Sequence, residues 1–225
     1  MRLSRLSRRD ALIFAAGLGA GGLICGAAAF VWPRGLADSA ALPQSNLKID
    51  IGYIQSMLQH HNQALVMSSL IEKEASASVA ELARRIKQAQ KSEIEQMTGW
   101  LIALEAPVLP TNGDWMGWMR QADGLLNINE RLYLDRCAAD PSGMEGLATP
   151  AQLSQLADKT LPAKQREALY LRLMIRHHQS AVSMSTLPAR HGDTRFVRHL
   201  AAHVMQTQSN EVGAMNRMLM NFPSP

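Results

Sequence analysis

The sequence predicts an all-α protein, a four-helix bundle assembled from two repeated helical hairpins. Hydrophobic residues make up 47% of the chain but aromatic residues only 5%. A core of Leu, Ala, Ile and Met without clusters of β-branched or aromatic residues favours helices over sheet. Four segments carry apolar residues at helical spacing, and each has a length of about 25 residues, which is typical of a bundle helix.

A long internal repeat indicates that the four helices form two similar hairpins. Residues 50–67 and 167–184 each contain an acid, a Met seven positions later, a His-His pair and a second Met six positions after that pair. Downstream, residues 83–97 are matched by 201–215 in the same way. The offset is 117 residues for the first blocks and 118 for the second. Repeats of this kind come from supersecondary units that pack against each other.

Prolines and capping residues set the expected helix bounds. Pro107 follows the second helix, Pro162 precedes the third, Pro188 should end the third, and Asp193 or Thr194 should cap the fourth. The four long helices are therefore predicted at about 47–73, 78–104 and 163–187, and from 193 or 194 to about 220.

Domain organisation follows from these helices. We expect a leader at 1–41 and a bundle at 47–222, with hairpins at 47–105 and 163–222. The connection at 106–162 has to cross from one hairpin to the other. Within it we predict short helices at 127–138 and 150–158, and we expect Trp115 and Trp118 to pack as a lid.

The leader carries nearly all of the net charge. The chain has 23 Lys and Arg residues and 19 Asp and Glu residues, and the excess lies in the first 34 positions. The remainder is neutral, which argues against a nucleic-acid partner because such proteins need a basic surface.

The leader also has the order of an export signal. Ser7-Arg8-Arg9-Asp10 resembles a twin-arginine motif, and an apolar run rich in Gly follows it up to Pro33. A transmembrane anchor is the alternative, because the run is about long enough to span a bilayer. We expect export to the periplasm or cell envelope, with membrane contact only through this segment. Whether the leader is cleaved stays open.

The two cysteines of the sequence predict neither a disulfide nor a thiolate metal site in the bundle. Cys25 lies in the leader and Cys137 alone lies in the body, so no disulfide or thiolate cluster can form within the bundle. A metal site in the bundle must therefore use His, Met and carboxylates.

Helical projection separates an inner stripe from a flank on each repeated helix. His61 and His178 fall on the apolar face, one turn from Met57 and Met174. The flank carries a second set of residues, which are His60, Met67, His177 and Met184. On the other two helices the inner stripe holds Gln90, Met97, Gln208 and Met215, with Glu93 and Glu211 at its edge.

These residues have two interpretations. A buried imidazole or amide needs a partner, so a His–Gln hydrogen-bond network could fix helix register without any metal. Thioether sulfur, however, selects Cu(I) among common ions, and imidazole binds copper and zinc. Iron sites in bundles use Glu and Glu-x-x-His, a motif absent from this sequence. We therefore favour copper, while zinc or no metal remains possible.

Two other histidines are spaced at i and i+4. His199 and His203 could chelate a metal ion, but they project nearly opposite the inner stripe, so a solvated face is the preferred interpretation. His191 precedes Gly192 and should interact with the end of the third helix.

The paired motifs resemble a known bacterial family. Met57-x-x-His60-His61 with Met67, and Met174-x-x-His177-His178 with Met184, are similar to the domain-of-unknown-function family three-zero-five, which includes CopM-type copper-binding proteins. The resemblance covers roughly 47–105 and 163–222 and implies a ferritin-like four-helix bundle that is usually exported. One departure is Glu167, where the family usually has Asp.

The preferred hypothesis is an exported protein that binds Cu(I) for copper handling or resistance, together with other copper-handling proteins of the envelope. A ferritin-like metal oxidoreductase and a metal-free helical interaction module are the alternatives. The candidate ligands are Met57, His60, His61, Met67, Met97, Met174, His177, His178, Met184 and Met215.

Overall fold

The computed structural model describes residues 47–222, and this part of the chain is helical without strands. The predicted leader at 1–41 lies outside the described residues. Beside a short 3-10 turn at Asp123–Leu125, the helices are α1 (Leu47–Ile71), α2 (Ala77–Ala103), α3 (Gly117–Gln121), α4 (Ile128–Ala139), α5 (Pro150–Ala157), α6 (Ala163–His191) and α7 (Arg195–Leu219).

The four long helices form the predicted bundle. Helix α1 packs against α2 within the first hairpin, α6 packs against α7 within the second, and α1 packs against α6 between the hairpins. The short helices α3, α4 and α5 lie on the outside of α1 and α6. Helices α1 and α6 are therefore the central pair, and each is covered on several sides. In the described range, no helix is long and apolar enough to cross a membrane.

The predicted helix bounds are within two residues of those observed, with one exception. Helix α6 continues through Pro188 to His191, so the expected end at 187 is wrong. Tertiary contacts hold the additional turn, because Leu187 is fully buried and Arg190 forms an ion pair with Glu130 at 2.6 Å. Pro188 therefore does not terminate α6, because the residues before and after it in the last turn are held by tertiary contacts.

Each repeated acid anchors the opposite hairpin. The buried Asp50 carboxylate at the start of α1 accepts hydrogen bonds from the backbone N–H groups of Asp193 and Thr194, both at 2.8 Å, and from Thr194 Oγ1 at 2.7 Å. These groups lie at the N-terminus of α7, where a carboxylate is favourable. Burial raises the pKa of Asp50, although the accepted hydrogen bonds oppose that shift.

Glu167 forms the corresponding anchor on the other side. Its carboxylate accepts hydrogen bonds from the backbone N–H of Ser76 at 2.7 Å and from Ser76 Oγ at 2.8 Å, at the N-terminus of α2. The second repeat thus has Glu where the first has Asp, and its longer side chain makes the corresponding contact with a helix N-terminus. Each inner helix therefore anchors the outer helix of the other hairpin.

Two tyrosines fix the register between α1 and α6. Tyr53 Oη lies 2.9 Å from Ser185 Oγ, and Tyr170 Oη lies 3.1 Å from Ser68 Oγ. The two contacts are reciprocal, as expected for hairpins related by a pseudo-two-fold axis. They place the His-His pairs of the two helices at the same level in the bundle.

The connection packs onto α1 through its tryptophans. Trp118 is buried, its ring meets Tyr53 edge-on at 6.0 Å, and its Nε1 donates to Ser56 Oγ at 3.1 Å. Gly52 of α1 provides the space, because a Cβ at that position would overlap Trp118. The predicted lid and the two predicted short helices are confirmed, and α3 is an additional helix.

Candidate functional site

Four fully buried imidazoles lie at the middle of the bundle, and we call them the histidine layer. His60 and His61 come from α1, His177 and His178 from α6, and all four have no exposed surface. The layer forms because the tyrosine contacts fix the register of the two helices. Four imidazoles without contact to water need partners inside the protein.

His60 and His177 face each other at the centre of the layer. Their ring centroids are 3.6 Å apart with an interplanar angle of 34°. His177 Nε2 donates to the backbone carbonyl of His60 at 3.0 Å, whereas neither ring nitrogen of His60 has a partner. The projection placed both on a flank of their helix, and this flank is buried because α1 and α6 are each covered by several neighbours.

His61 and His178 are each paired with a glutamate from their own hairpin. His61 Nε2 lies 2.6 Å from Glu93 Oε2, and His178 Nε2 lies 2.7 Å from Glu211 Oε2. The hydrogen bonds are therefore His–Glu and not His–Gln. Gln90 lies buried with no partner for its amide, and Gln208 Oε1 has none either.

Sequence reasoning placed the two glutamates only at the edge of the inner stripe. The signal that identifies them is their position three residues after an inner-stripe glutamine, in both repeats. From that edge the carboxylates of Glu93 and Glu211 reach the imidazoles, whereas the amides of Gln90 and Gln208, one turn earlier, do not bond to them. The carboxylates thus act on the histidines and are not free to form a carboxylate-rich site.

The environment keeps the central imidazoles neutral. Burial lowers the pKa of His60 and of His177 well below the ordinary value, and the neighbouring histidines lower both further. A neutral imidazole has one lone pair available for a proton or a metal ion.

Five ring nitrogens of the layer have no hydrogen-bond partner. They are both nitrogens of His60 and the Nδ1 atoms of His61, His177 and His178. For the last three residues, Nε2 is already engaged by a carboxylate or a carbonyl. When Nε2 carries the proton, the lone pair of Nδ1 can accept a hydrogen bond or bind a metal ion, and no described group of the protein occupies it. Carboxylate–imidazole pairs orient metal-ligating histidines in the same way.

All six candidate methionines are fully buried around this layer. They divide between two packed clusters, and each cluster draws on both hairpins. The first holds Met57, Met97 and Met184; the second holds Met67, Met174 and Met215. The repeat maps each set onto the other. Met57 and Met174 lie about one helical turn from the histidine pair, and Met67 and Met184 lie nearly two turns away.

The donors other than methionine do not form a metal site by themselves in the described part of the chain. Within residues 47–222, no group of three or more His, Cys, Asp and Glu side chains is arranged to hold a metal ion. Cys137 lies within the connection, on α4, where burial raises the pKa of its thiol. The carboxylate-rich site of the oxidoreductase alternative therefore has no counterpart in this part of the chain.

The remaining histidines lie outside the layer. His199 and His203 are exposed on α7, as predicted, and His191 is the last residue of α6. His203 Nε2 nevertheless lies 3.5 Å from Glu93 Oε1, a contact that the helical projection does not predict.

Comparisons with known proteins agree with this architecture. The sequence profile described as Domain of unknown function (DUF305) matches residues 50–219. No curated protein matches the chain. A DUF305 protein from Streptomyces coelicolor, described as secreted, is 29% identical, with a TM-score of 0.63 over 76% of this chain and 92% of that chain. A DUF305 fragment from Deinococcus radiodurans is 27% identical, with a TM-score of 0.58 over 77% of this chain and 97% of that chain.

Proposed function

We propose that this chain, which belongs to the DUF305 family, is an exported protein that binds Cu(I) between its histidine layer and its buried methionines. The observation that carries the proposal is the set of five unpartnered imidazole nitrogens in a fully buried layer. In the cell envelope such a protein would hold copper for handling or resistance and exchange it with other copper-handling proteins.

The unpartnered nitrogens support the proposal that a cation binds here. Burying a polar atom without a hydrogen bond costs roughly 1–3 kcal/mol in proteins, so several such atoms together are unfavourable unless something binds them. A metal ion would satisfy the Nδ1 lone pairs without disturbing the His–Glu pairs. His61 and His178 would then be ligands, oriented by Glu93 and Glu211.

The chemistry of the donors favours copper over the alternatives. Neutral imidazoles and thioethers are the groups available in the bundle, and thioether ligation selects Cu(I). Zinc prefers imidazole, thiolate and carboxylate, and three such ligands do not converge in the described range. Met57 and Met174 lie nearest to the histidines in sequence and are the first candidates for the sulfur ligands. Met97 and Met215 belong to the same two clusters and are the next.

A competition titration with a Cu(I) chelator tests the proposal. Changing Met57 and Met174 to Leu preserves volume, so stability should fall by less than about 1.5 kcal/mol. The Cu(I) affinity should fall more than about tenfold, equivalent to about 1.4 kcal/mol.

The matched control changes Met119 and Met144 to Leu. Both are fully buried methionines of the connection and belong to no repeated motif. This control should retain the affinity of the unchanged protein. Equal affinity in both variants, or no Cu(I) binding by the parent protein, would contradict the proposal and favour a metal-free module.

Export is the second part of the proposal. It is supported by the Arg8-Arg9 pair at the start of the chain and by the secreted relative from Streptomyces coelicolor. Replacing both arginines with Lys should leave the precursor in the cytoplasm. Export of this variant at the normal level would instead indicate the general secretory route or membrane anchoring.

A further inference from the structure

A groove separates α2 from α7 on one side of the bundle. It has a volume of about 680 Å³ and is lined by Glu93 and Gln96 of α2 and by Phe196, His199 and His203 of α7. At one end the rings of Trp100 and Phe196 stack with centroids 5.8 Å apart. The groove is open to solvent, and Glu93, which lines it, also contacts the histidine layer.

Glu93 connects the groove to the layer. One carboxylate oxygen, Oε2, lies 2.6 Å from Nε2 of the fully buried His61. The other, Oε1, lies 3.5 Å from Nε2 of His203, whose side chain is 64% exposed. A single buried carboxylate therefore contacts an internal and an external imidazole.

The exposed His203 has a second histidine about one helical turn before it in the sequence. His199 and His203 are spaced i, i+4 on α7 and both line the groove. Histidines at this spacing on one helix face can bind the same metal ion. No third His, Cys, Asp or Glu of residues 47–222 completes a preformed site with them. The pair alone, completed by water, would bind an ion weakly and release it readily.

The other side of the bundle lacks this arrangement. The internal repeat maps His199 and His203 onto Glu81 and Arg85 of α2. The matching positions hold no histidine, so within residues 47–222 only the groove side has an exposed imidazole pair next to a glutamate that contacts the layer.

We propose that His199 and His203 form an external docking site for Cu(I), from which the ion passes along Glu93 to the histidine layer. This inference rests on the proposed function and adds to it the route by which the ion enters and the side of the bundle on which it enters. The ion exchanges one ligand at a time. The Glu93 carboxylate binds it as one imidazole of the external pair is released, and the internal imidazole and thioether groups then replace the carboxylate. The two exposed imidazoles bind the ion at the solvent-facing end, and the carboxylate of Glu93 lowers the cost of moving its charge into the bundle.

The test measures the rate of Cu(I) transfer from a chromogenic chelator complex by stopped-flow absorbance. Changing both His199 and His203 to Gln should slow transfer, because the ion then lacks the two imidazoles that hold it beside Glu93. The equilibrium affinity of the interior should stay unchanged. The matched control changes Glu81 and Arg85 to Gln and should transfer at the normal rate. An unchanged rate in the histidine variant would overturn the inference.

Ni(II) binding separates this inference from the proposed function. The external pair should bind one Ni(II) by isothermal titration, and the His199→Gln/His203→Gln variant should lose it. If the parent protein takes up no Cu(I), the proposed function fails, and the Ni(II) titration alone decides whether the docking site exists. Equal Ni(II) binding by parent and variant would overturn the docking site even if the interior binds Cu(I).

Discussion

The two hairpins share the contacts that build the bundle and differ in the contacts that face solvent. Both have an acid that anchors the opposite outer helix, a tyrosine bonded to a serine of the partner helix, and a His–Glu pair. Only Glu93 has an exposed histidine beside it. Repetition therefore preserves the architecture and the donor groups, and divergence gives one side a distinct surface.

A second difference lies within the histidine layer itself. His177 donates to the His60 carbonyl, but His60 makes no reciprocal bond. His177 is therefore oriented by the fold, and His60 is the less constrained of the two. Of the two, the freer imidazole is better suited to adjust to a bound ion.

Acid should have the largest effect on the metal-free protein. The folded-state pKa values of His60 and His177 lie below their unfolded value, so stability is fully present above about pH 6.5 and falls as pH decreases below it. Two such groups give a loss of about 2.7 kcal/mol per pH unit. Urea unfolding between pH 7 and pH 5 measures it.

Changing His60 to Gln should remove about half of this pH dependence, and changing His177 to Gln should remove the other half. The comparison shows whether the free and the oriented imidazole contribute equally. A metal-free protein whose stability is constant from pH 7 to pH 5 would contradict the description of His60 and His177 as neutral, desolvated imidazoles.

A methyl group at position 52 should have the next largest effect. Gly52→Ala would overlap Trp118, and overpacking of this kind costs about 3 kcal/mol. The second repeat has Leu169 at the matching position, so the restriction belongs to the first hairpin and its lid. Gly99→Ala is the control, since nothing lies within 4 Å of its Cβ. It should stabilise the protein by about 1 kcal/mol.

Thermal unfolding of both glycine variants measures these changes. A Gly52→Ala protein as stable as the parent would mean that Trp118 does not pack on α1 as the structure has it.

The two anchors should have a smaller effect. Asp50→Ala should cost about 2 kcal/mol, because capping groups contribute roughly that amount. Glu167→Ala should cost less, since its carboxylate accepts two hydrogen bonds and that of Asp50 accepts three. Urea midpoints at constant m-value give both numbers. The opposite order, or no loss in either variant, would contradict the reciprocal anchoring.

The smallest of these free-energy effects concerns the glutamates that orient the histidines. Glu93→Gln and Glu211→Gln should each lower the Cu(I) affinity about tenfold, as for other partners of metal-ligating histidines. Chelator competition measures both. Only Glu93→Gln should also slow Cu(I) uptake, because only that carboxylate lies beside His203. Equal uptake rates for the two variants would remove the functional difference between the hairpins.

The sequence predicted the helices and the buried inner stripes well, because both follow from periodicity. All ten candidate ligands are buried, and the repeat relates their positions as expected. The burial of the flank that carries His60 and His177 was not predicted, because a projection treats each helix as having one buried face. In the bundle, α1 and α6 are surrounded by several helices.

The partners of the histidines could not be predicted from periodicity. His–Gln and His–Glu bonds differ only in which of two neighbouring α2 or α7 positions reaches the imidazole. That choice depends on the rotation and axial position of the neighbouring helix, which a projection of single helices does not contain. Pro188 illustrates the same limit, because the Arg190–Glu130 pair that helps to hold the last turn of α6 joins residues 60 positions apart.

The most direct test of the central claim is a crystal structure of the Cu(I)-loaded protein with anomalous diffraction at the copper edge. We predict a copper peak inside the bundle, bound by Nδ1 of His61 or His178 and by the sulfur of Met57 or Met174. Copper bound only at His199 and His203, with the interior methionines away from it, would contradict the claim.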